Sequence, residues 1–254
     1  MDHSRLDSKS AQWSCLITRL GLVLFAGALL LRYFSCISFY TQLNLFIAAV
    51  FFSLLGLGAA LLGFKALWCE GKRAGYRCLR ATFYAAMVLV PLFWLALCSW
   101  RGGSSYDIST DETNPPQFFA SMRPKDSLPL QDRPSLSFNL EKTTAALSGR
   151  RYRGGPRVIL PSIVQTFSQL GWKEVAQWRP QSKKTDILLQ TVAKTFPFGF
   201  VSDIIIRLAD EGDTSFVDIR AVSRHLKKDI GVNQALIRKF FATLDQKILF
   251  AQER

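Results

Sequence analysis

The chain has 254 residues, with 32 Lys and Arg against 19 Asp and Glu and a formal net charge of +13. Hydrophobic residues make up 49% of it, and they cluster in uncharged runs that a wholly soluble enzyme, a collagen-like chain or a disordered chain would not contain. Residues 1–100 hold 3 acidic residues, whereas residues 101–254 hold 16. We therefore expect the first part in a membrane and the second in water.

Two uncharged runs, residues 33–64 and 81–100, predict membrane-spanning helices, because about 20 apolar residues cross the hydrocarbon of a bilayer. The first run is too long for one span, and we divide it at the polar residues Thr41, Gln42 and Asn44. The membrane domain, residues 1–100, is thus predicted to have spans at about 16–38, 45–64 and 81–100. Arg32 falls inside the first span, at a cost in free energy unless it reaches the headgroups.

The connection between the second and third spans is basic, which orients the chain. It carries Lys65, Lys72, Arg73, Arg77 and Arg80 against Glu70 alone. The positive-inside rule places such a connection in the cytoplasm. Three spans then predict a multi-pass protein of the bacterial inner membrane, with a cytoplasmic N-terminus and a periplasmic C-terminal domain. A cleaved signal peptide over residues 1–36 is the alternative, although no small-x-small cleavage site follows it.

Small residues in the second span are spaced for close helix contact. Gly56 with Ala60, or Ala59 with Gly63, have the small-xxx-small spacing. Packing among the three spans and dimerisation are the two interpretations of this spacing.

All five cysteines lie between residues 15 and 98. The soluble part is therefore predicted to fold without a disulfide, a thiol nucleophile or a cysteine-ligated zinc ion. The sequence contains no metal motif, phosphate loop or dinucleotide fingerprint, so we predict no metal site and no cofactor.

Residues 101–157 are rich in Gly, Ser, Pro and mixed charge, which predicts an extended linker and leader. Four arginines form a basic cluster near its end: Arg150, Arg151, Arg153 and Arg157. The topology sets this cluster on the side of the membrane away from the cytoplasm, so we expect contact with solvent or anionic headgroups and not with nucleic acid.

Residues 158–254 predict an α+β domain, a small antiparallel sheet packed by helices. A helix runs from Pro161 towards Gly171, strands follow at 172–178, 185–195, 201–208 and 216–224, and residues 210–214 connect a hairpin. Leu236, Phe240, Leu244 and Ile248 line a last helix. Asp229, Gly231 and Asn233 are predicted to fix the turn before it and to cap it, and ligand binding by Asp229 and Asn233 is the alternative.

The hairpin gathers charge on one face. Side chains alternate between the two faces of a strand, so Ile204, Ile206 and Leu208 share one face of the strand at 201–208. The matching face of the strand at 216–224 carries Val217, Ile219 and Ala221. The opposite face carries the candidate binding residues Asp203, Arg207, Asp218, Arg220 and Arg224. They are predicted to form either an anion site or a solvated or partly covered lattice of ion pairs.

No catalytic residue is predicted. Ser223, His225 and Asp218 are the one set that suggests nucleophilic catalysis, but His225 lies among basic residues and no Gly-x-Ser-x-Gly turn exists. Neighbouring arginines should lower the pKa values of Asp203 and Asp218, which does not suit a general acid.

Three segments carry a family resemblance. They are Thr195-Phe196-x-Phe198-Gly199-Phe200-x-x-Asp203-x-x-x-Arg207, Val217-Asp218-Ile219-Arg220-Ala221-x-Ser223-Arg224 and Asp229-Ile230-Gly231-Val232-Asn233. The chain resembles the bacterial family catalogued as domain of unknown function 1499. Residues 106–111 with Pro115, Pro116 and Phe118 resemble the stretch before that domain in membrane-anchored members. The resemblance covers about residues 105–248 and implies the domain but no activity.

The sequence thus predicts an envelope protein anchored in the lipid bilayer, whose extracytoplasmic domain binds a protein, a lipid or another anionic envelope component. An envelope hydrolase that uses the charged strip is one alternative. A structural subunit, whose spans assemble with another membrane protein, is the other.

Overall fold

The structure is a computed structural model, and it describes residues 8–71, 74–101, 105–119, 123–131, 147–178, 186–228 and 230–252. The chain divides into two compact units. One consists mainly of Met1–Leu97 and contains three long apolar helices. The other contains the described strands and two further helices, so the fold class predicted from the sequence is confirmed.

The three helices of the first unit are α1 (Lys9–Tyr33), α2 (Phe39–Glu70) and α3 (Gly75–Arg101), and each is long and apolar enough to cross a membrane. The first connection lies at residues 34–38 and not at Thr41, Gln42 and Asn44. Ser38 accounts for the difference, because its hydroxyl accepts a hydrogen bond from the Thr41 backbone N–H at 3.1 Å and starts α2 there.

Arg32 lies in the last turn of α1 and not in the interior of a span. Its Nη1 donates to the Ile37 carbonyl at 3.1 Å, across the turn between the first two helices. A cation at this end of a helix is favoured by the helix dipole. Arg32, which is predicted to lie inside a span at a cost in free energy, therefore lies at the end of a helix.

The first two helices pack through a stripe of mostly small residues that recurs every three or four positions. On α1 it is Ala11, Ser14, Thr18, Gly21, Phe25, Ala28 and Arg32, and on α2 it is Gln42, Phe46, Ala49, Ser53, Gly56, Ala60 and Gly63. A Cβ atom on Gly56 would lie 3.0 Å from the Thr18 backbone nitrogen. Gly56, Ala60 and Gly63 thus serve packing within the chain, as small residues do between membrane helices.

In its described residues, the second unit is built on a six-stranded antiparallel sheet. Its strands are β1 (Asp107–Ser109), β2 (Arg150–Arg153), β3 (Lys173–Trp178), β4 (Ile187–Lys194), β5 (Val201–Asp210) and β6 (Thr214–Ser223). The order is β1-β6-β5-β4-β3, and β2 also pairs with β6. The long central strands β4, β5 and β6 are those whose sequences alternate most clearly.

Two helices, α4 (Pro156–Leu170) and α5 (Val232–Gln252), cover one face of this sheet. The core joins Ile204, Ile206 and Ile219 from the sheet with Phe167 and Phe240 from the helices. α4 begins at Pro156 and not near Pro161, because Pro156 suits the first helical position, where its missing N–H has no partner to lose. It ends at Gly171, whose φ of 68° gives the left-handed cap expected there.

Two strands lie inside residues 101–157, the stretch that the sequence assigned to a linker. β1 and β2 both pair with β6, and Leu147 belongs to the core. Neither strand has a readable pattern, since β1 has three residues, all buried, and β2 has three arginines around the single inward Tyr152. The described sheet of this unit therefore begins at Asp107 and not after residue 158.

The basic cluster near β2 is partly neutralised within the unit. Arg150 pairs with Asp245 of α5, and Tyr152 donates to the same carboxylate at 2.7 Å. Arg151 pairs with Glu211 at 2.9 Å. The first two arginines of the cluster thus have carboxylate partners within the unit.

Candidate functional site

The register of the β5–β6 hairpin separates apolar and charged residues onto two faces. Ile206 lies opposite Ile219, and Arg207 lies opposite Asp218. The structure therefore brings the five predicted binding residues together. We call Asp203, Arg207, Asp218, Arg220 and Arg224 the charged face.

Residues 105–119 and 123–131, which we call the covering segment, lie over the charged face. Phe118 packs against Ile205 and Val222, and the Phe119 N–H donates to the Gln190 side chain at 3.0 Å. Three residues of the charged face are consequently buried, whereas Arg207 and Arg224 remain partly exposed. Asp203 and Asp218 are 0% exposed and Arg220 is 1% exposed.

Arg220 is bound on all sides by the covering segment. Its Nε and Nη2 donate to the two carboxylate oxygens of Asp107, at 2.9 and 2.7 Å. It also donates to the carbonyls of Pro116 at 3.3 Å and Gln131 at 2.8 Å. The ring of Phe118 lies 5.7 Å from the guanidinium carbon. These contacts replace the water that a buried guanidinium has lost.

Asp203 is held between two arginines. Arg224 binds it through Nε and Nη2, with the shortest contact at 2.7 Å to Oδ1. Arg123 of the covering segment donates to Oδ2 at 3.3 Å and also to the Leu128 carbonyl at 3.1 Å. Asp203 of β5 thus binds Arg224, which follows β6, and also anchors the covering segment through Arg123.

Arg207 bridges two carboxylates. It binds Asp218 through Nε at 3.1 Å and Nη2 at 2.5 Å, and Nη2 also donates to Asp111 of the covering segment at 3.0 Å. Burial raises the pKa of Asp218 to about 6, although Arg207 opposes the shift. This shift is opposite to the prediction that the neighbouring arginines lower the pKa of Asp218. Burial prevails because the side chain has lost all contact with water.

Asp111 shows the opposite balance. Burial favours a higher pKa for its carboxyl group, but hydrogen bonds from the Asn114 N–H, from Thr113 and from Arg207 outweigh burial, so the pKa is lowered. Asp111 is therefore the ionised partner of Arg207 over a wider range of pH than Asp218.

The charged face is a lattice of ion pairs whose arginines already bind carboxylates of the same chain. An external anion would have to compete with these carboxylates, and at the buried Arg220 it would also have to displace the covering segment. Two of the three residues considered for nucleophilic catalysis also have partners within the chain. Asp218 binds Arg207, and the Ser223 hydroxyl accepts a hydrogen bond from the Asn233 side chain at 3.2 Å. Within the described part of the chain, no group of three or more His, Cys, Asp or Glu side chains could hold a metal ion.

A second candidate site is a cleft of about 530 Å³ between the end of α4, the end of β4 and the first turns of α5. Its apolar lining includes Trp172, Phe196 and Leu236. Lys194 and Lys239 supply positive charge at its wall. We refer to it as the basic cleft.

Comparison with known families finds one match in this chain. The model of the DUF1499 family, described as a protein of unknown function, matches residues 107–244. The chain belongs to this family. A comparison with curated proteins found no match.

The family match begins at Asp107, the residue that binds Arg220, and it ends within α5. The covering segment is therefore an integral part of the DUF1499 domain. The ion pairs that join it to the sheet lie within the matched region.

The predicted capping residues before α5 have different positions. Asp229 lies outside the described residues. Gly231 has a φ of 89°, which suits glycine, and α5 starts at the next residue. Asn233 lies in the first turn, where its side chain accepts from the Ser202 hydroxyl at 2.7 Å and donates to the Tyr106 carbonyl at 3.0 Å. Asn233 thus links α5 to β5 and to the covering segment.

Sequence reasoning identified three arginines of the lattice, Arg207, Arg220 and Arg224. It missed Asp107, Asp111 and Arg123 of the covering segment. One signal was available, because the hairpin strip has three arginines and only two aspartates, which calls for a carboxylate from elsewhere. The basic cleft gave no such signal. Its lining comes from separate elements, and neither lysine belongs to a motif.

Proposed function

We propose that this DUF1499 protein is a membrane-anchored binding protein of the cell envelope. In this proposal α1–α3 span the bacterial inner membrane, the N-terminus is cytoplasmic, and the domain lies in the periplasm. There the domain binds an anionic envelope component.

The charge of the helix connections supports this orientation. The α1–α2 connection, residues 34–38, contains no charged residue. The α2–α3 connection has Lys72 and Arg73 and is flanked by Lys65 and Arg77. By the positive-inside rule the basic connection is cytoplasmic, and the end of the third span then lies on the opposite side.

The observation that carries the binding function is the basic cleft. Ligand sites are concave, mostly apolar and supplied with a few polar groups, and their volumes range from about 300 to 1,000 Å³. The basic cleft, at about 530 Å³, has these properties, and Lys194 and Lys239 favour an anionic ligand.

The lattice favours binding over the hydrolase alternative. A hydrolase needs a carboxylate or a nucleophile that meets substrate and water. Asp107, Asp203 and Asp218 instead have two-point contacts with arginines beneath the covering segment. The pKa of Asp218 is raised to about 6 by burial, which would suit a general acid, but a carboxyl group with no exposure has no route to a substrate.

Two measurements on the full chain test the proposal. Alkaline phosphatase fused after Arg254 should be active and fused after Lys72 should be inactive, and the reverse pattern would overturn the topology. For binding, a photoreactive p-benzoylphenylalanine in place of Phe196, which lines the basic cleft, should capture an anionic partner in living cells.

The matched control places the same group at Val158, which is 65% exposed on α4 and does not line the basic cleft. Equal capture at both positions, or capture at neither, would overturn the binding proposal. Capture of one defined lipid or protein at Phe196 alone would support it.

A further inference from the structure

We infer that the basic cleft binds a single-chain anionic lipid, with its acyl chain against the apolar lining and its headgroup at Lys194 and Lys239. This inference rests on the proposed binding function and specifies its ligand. It concerns the DUF1499 domain alone, because the lining residues all belong to the sheet unit.

The apolar lining fits an acyl chain. Trp172 forms part of the lining and stacks on Phe240, with ring centroids 5.9 Å apart, so this surface is fixed by the core. Leu170 and Leu236 extend the surface from the ends of α4 and α5. Phe196, by contrast, is 84% exposed. A ligand in the basic cleft would remove part of this ring from water, which favours the binding of an apolar chain.

The charges fit an anionic headgroup. The described residues that line the basic cleft include two lysines and no acidic side chain. Lysine stems cover apolar surface while the ammonium groups stay at the rim, which suits a ligand with an apolar body and a charged end. α5 begins at Val232 inside the lining, so the positive end of its dipole adds to the same field.

An extended peptide is the competing occupant, and the lining favours the lipid. Peptides are held mainly by hydrogen bonds to a free strand edge or by side-chain pockets at regular spacing. Here the lining residues lie at the ends of α4, β4 and α5, and their side chains are mostly apolar. The membrane that α1–α3 span in the proposed function is itself a source of acyl amphiphiles.

The test uses the full chain in mild detergent with a diazirine-bearing palmitate, mapped by peptide mass spectrometry. Labelling of α1–α3, whose outer faces are apolar, is the internal standard. Peptides containing Phe196 and Leu236 should be labelled by palmitate and far less by the matching palmityl alcohol. Lys194→Gln with Lys239→Gln should lower this labelling relative to the standard by about tenfold or more, which corresponds to about 1.4 kcal/mol, because both cations that face the headgroup are removed.

The control variant combines Lys173→Gln with Arg238→Gln, which removes the same charge from exposed positions outside the lining. It should label like the wild type. A second variant, Ala235→Trp, keeps both lysines but fills the basic cleft and should also abolish labelling. Equal labelling by acid and alcohol, equal loss in the control variant, or no labelling of these peptides would overturn the inference.

The two proposals fail in different ways. If the photoreactive group at Phe196 captures a defined protein while palmitate does not label the cleft, the binding function stands and the lipid is refuted. If neither probe gives a product, both are refuted.

Discussion

Arg220 and Asp107 lie 113 positions apart in the sequence and meet in a two-point ion pair, with side chains 1% and 0% exposed. A buried ion pair adds little net stability compared with a well-packed apolar pair, but losing one partner leaves a charge buried without compensation. The pair therefore specifies where the covering segment lies more than it strengthens the fold. The pair also includes Asp107, the first residue of the DUF1499 match.

A soluble fragment of residues 105–254 should melt cooperatively, whereas residues 158–254 alone should not. The shorter fragment lacks β1, β2, Leu147 and the carboxylates that bind Arg207 and Arg220. Circular dichroism against temperature distinguishes the two. Chelator and reductant should leave the melt of the longer fragment unchanged, since all five cysteines precede residue 99. A cooperative melt of 158–254 would show that the covering segment is dispensable.

Arg220→Ala should lower the unfolding free energy of the 105–254 fragment by about 3–5 kcal/mol, because Asp107 is left buried without its partner. Urea denaturation with linear extrapolation measures this loss. Arg151→Ala, which breaks an exposed pair with Glu211, should change it little.

The double variant Asp107→Leu with Arg220→Met separates an unpaired charge from a lost contact. It should recover most of the stability that Arg220→Ala loses, since both buried charges are removed together. If the double variant is as unstable as Arg220→Ala, the hydrogen bonds to Pro116 and Gln131 matter more than the charge balance.

The sequence predicted the elements that have one apolar and one polar face. β5, β6 and α5 each repeat with the period of a strand or a helix, so their burial could be read before the fold was known. β1 could not be predicted, because Asp107, Ile108 and Ser109 are all buried and do not alternate. The covering segment was missed for a related reason. It is held by backbone carbonyl groups and by ion pairs between residues far apart in the chain, and neither produces a repeating pattern in the sequence.

Asp218 should make the fragment more stable relative to Asp218→Asn as pH falls from 7 to 4. Its pKa is raised to about 6 in the folded domain, whereas an unfolded aspartate titrates near 3.9. Between pH 4 and pH 6 the folded state binds a proton at Asp218 that the unfolded state does not bind. The unfolding free energy therefore falls as pH rises, and above pH 6 the whole cost of burying the ionised carboxylate is present. The difference between the two proteins should change by about 2 kcal/mol between pH 7 and pH 4, at 1.36 kcal/mol per pKa unit, since an unfolded aspartate is already roughly half protonated at pH 4.

Urea denaturation of both proteins at pH 4, 5, 6 and 7 measures this difference. Asp111, whose pKa is lowered, destabilises the fold as pH falls, but it is present in both proteins and largely cancels. A difference that shrinks towards pH 4 would mean that Arg207 keeps Asp218 ionised despite its burial.

Gly56→Leu should destabilise the helical unit, and Gly58→Leu should not. A side chain at Gly56 meets the backbone nitrogen of Thr18 at 3.0 Å, whereas nothing lies within 4 Å of a Cβ at Gly58. Overpacking of this kind costs about 1–3 kcal/mol or more. Gly58→Leu creates no such contact and replaces a glycine, which is itself unfavourable inside a helix. Unfolding of the full chain in mixed detergent micelles, titrated with sodium dodecyl sulfate, measures both variants. If Gly58→Leu is the damaging change, the outer face of α2 binds another membrane helix, as the structural-subunit alternative requires.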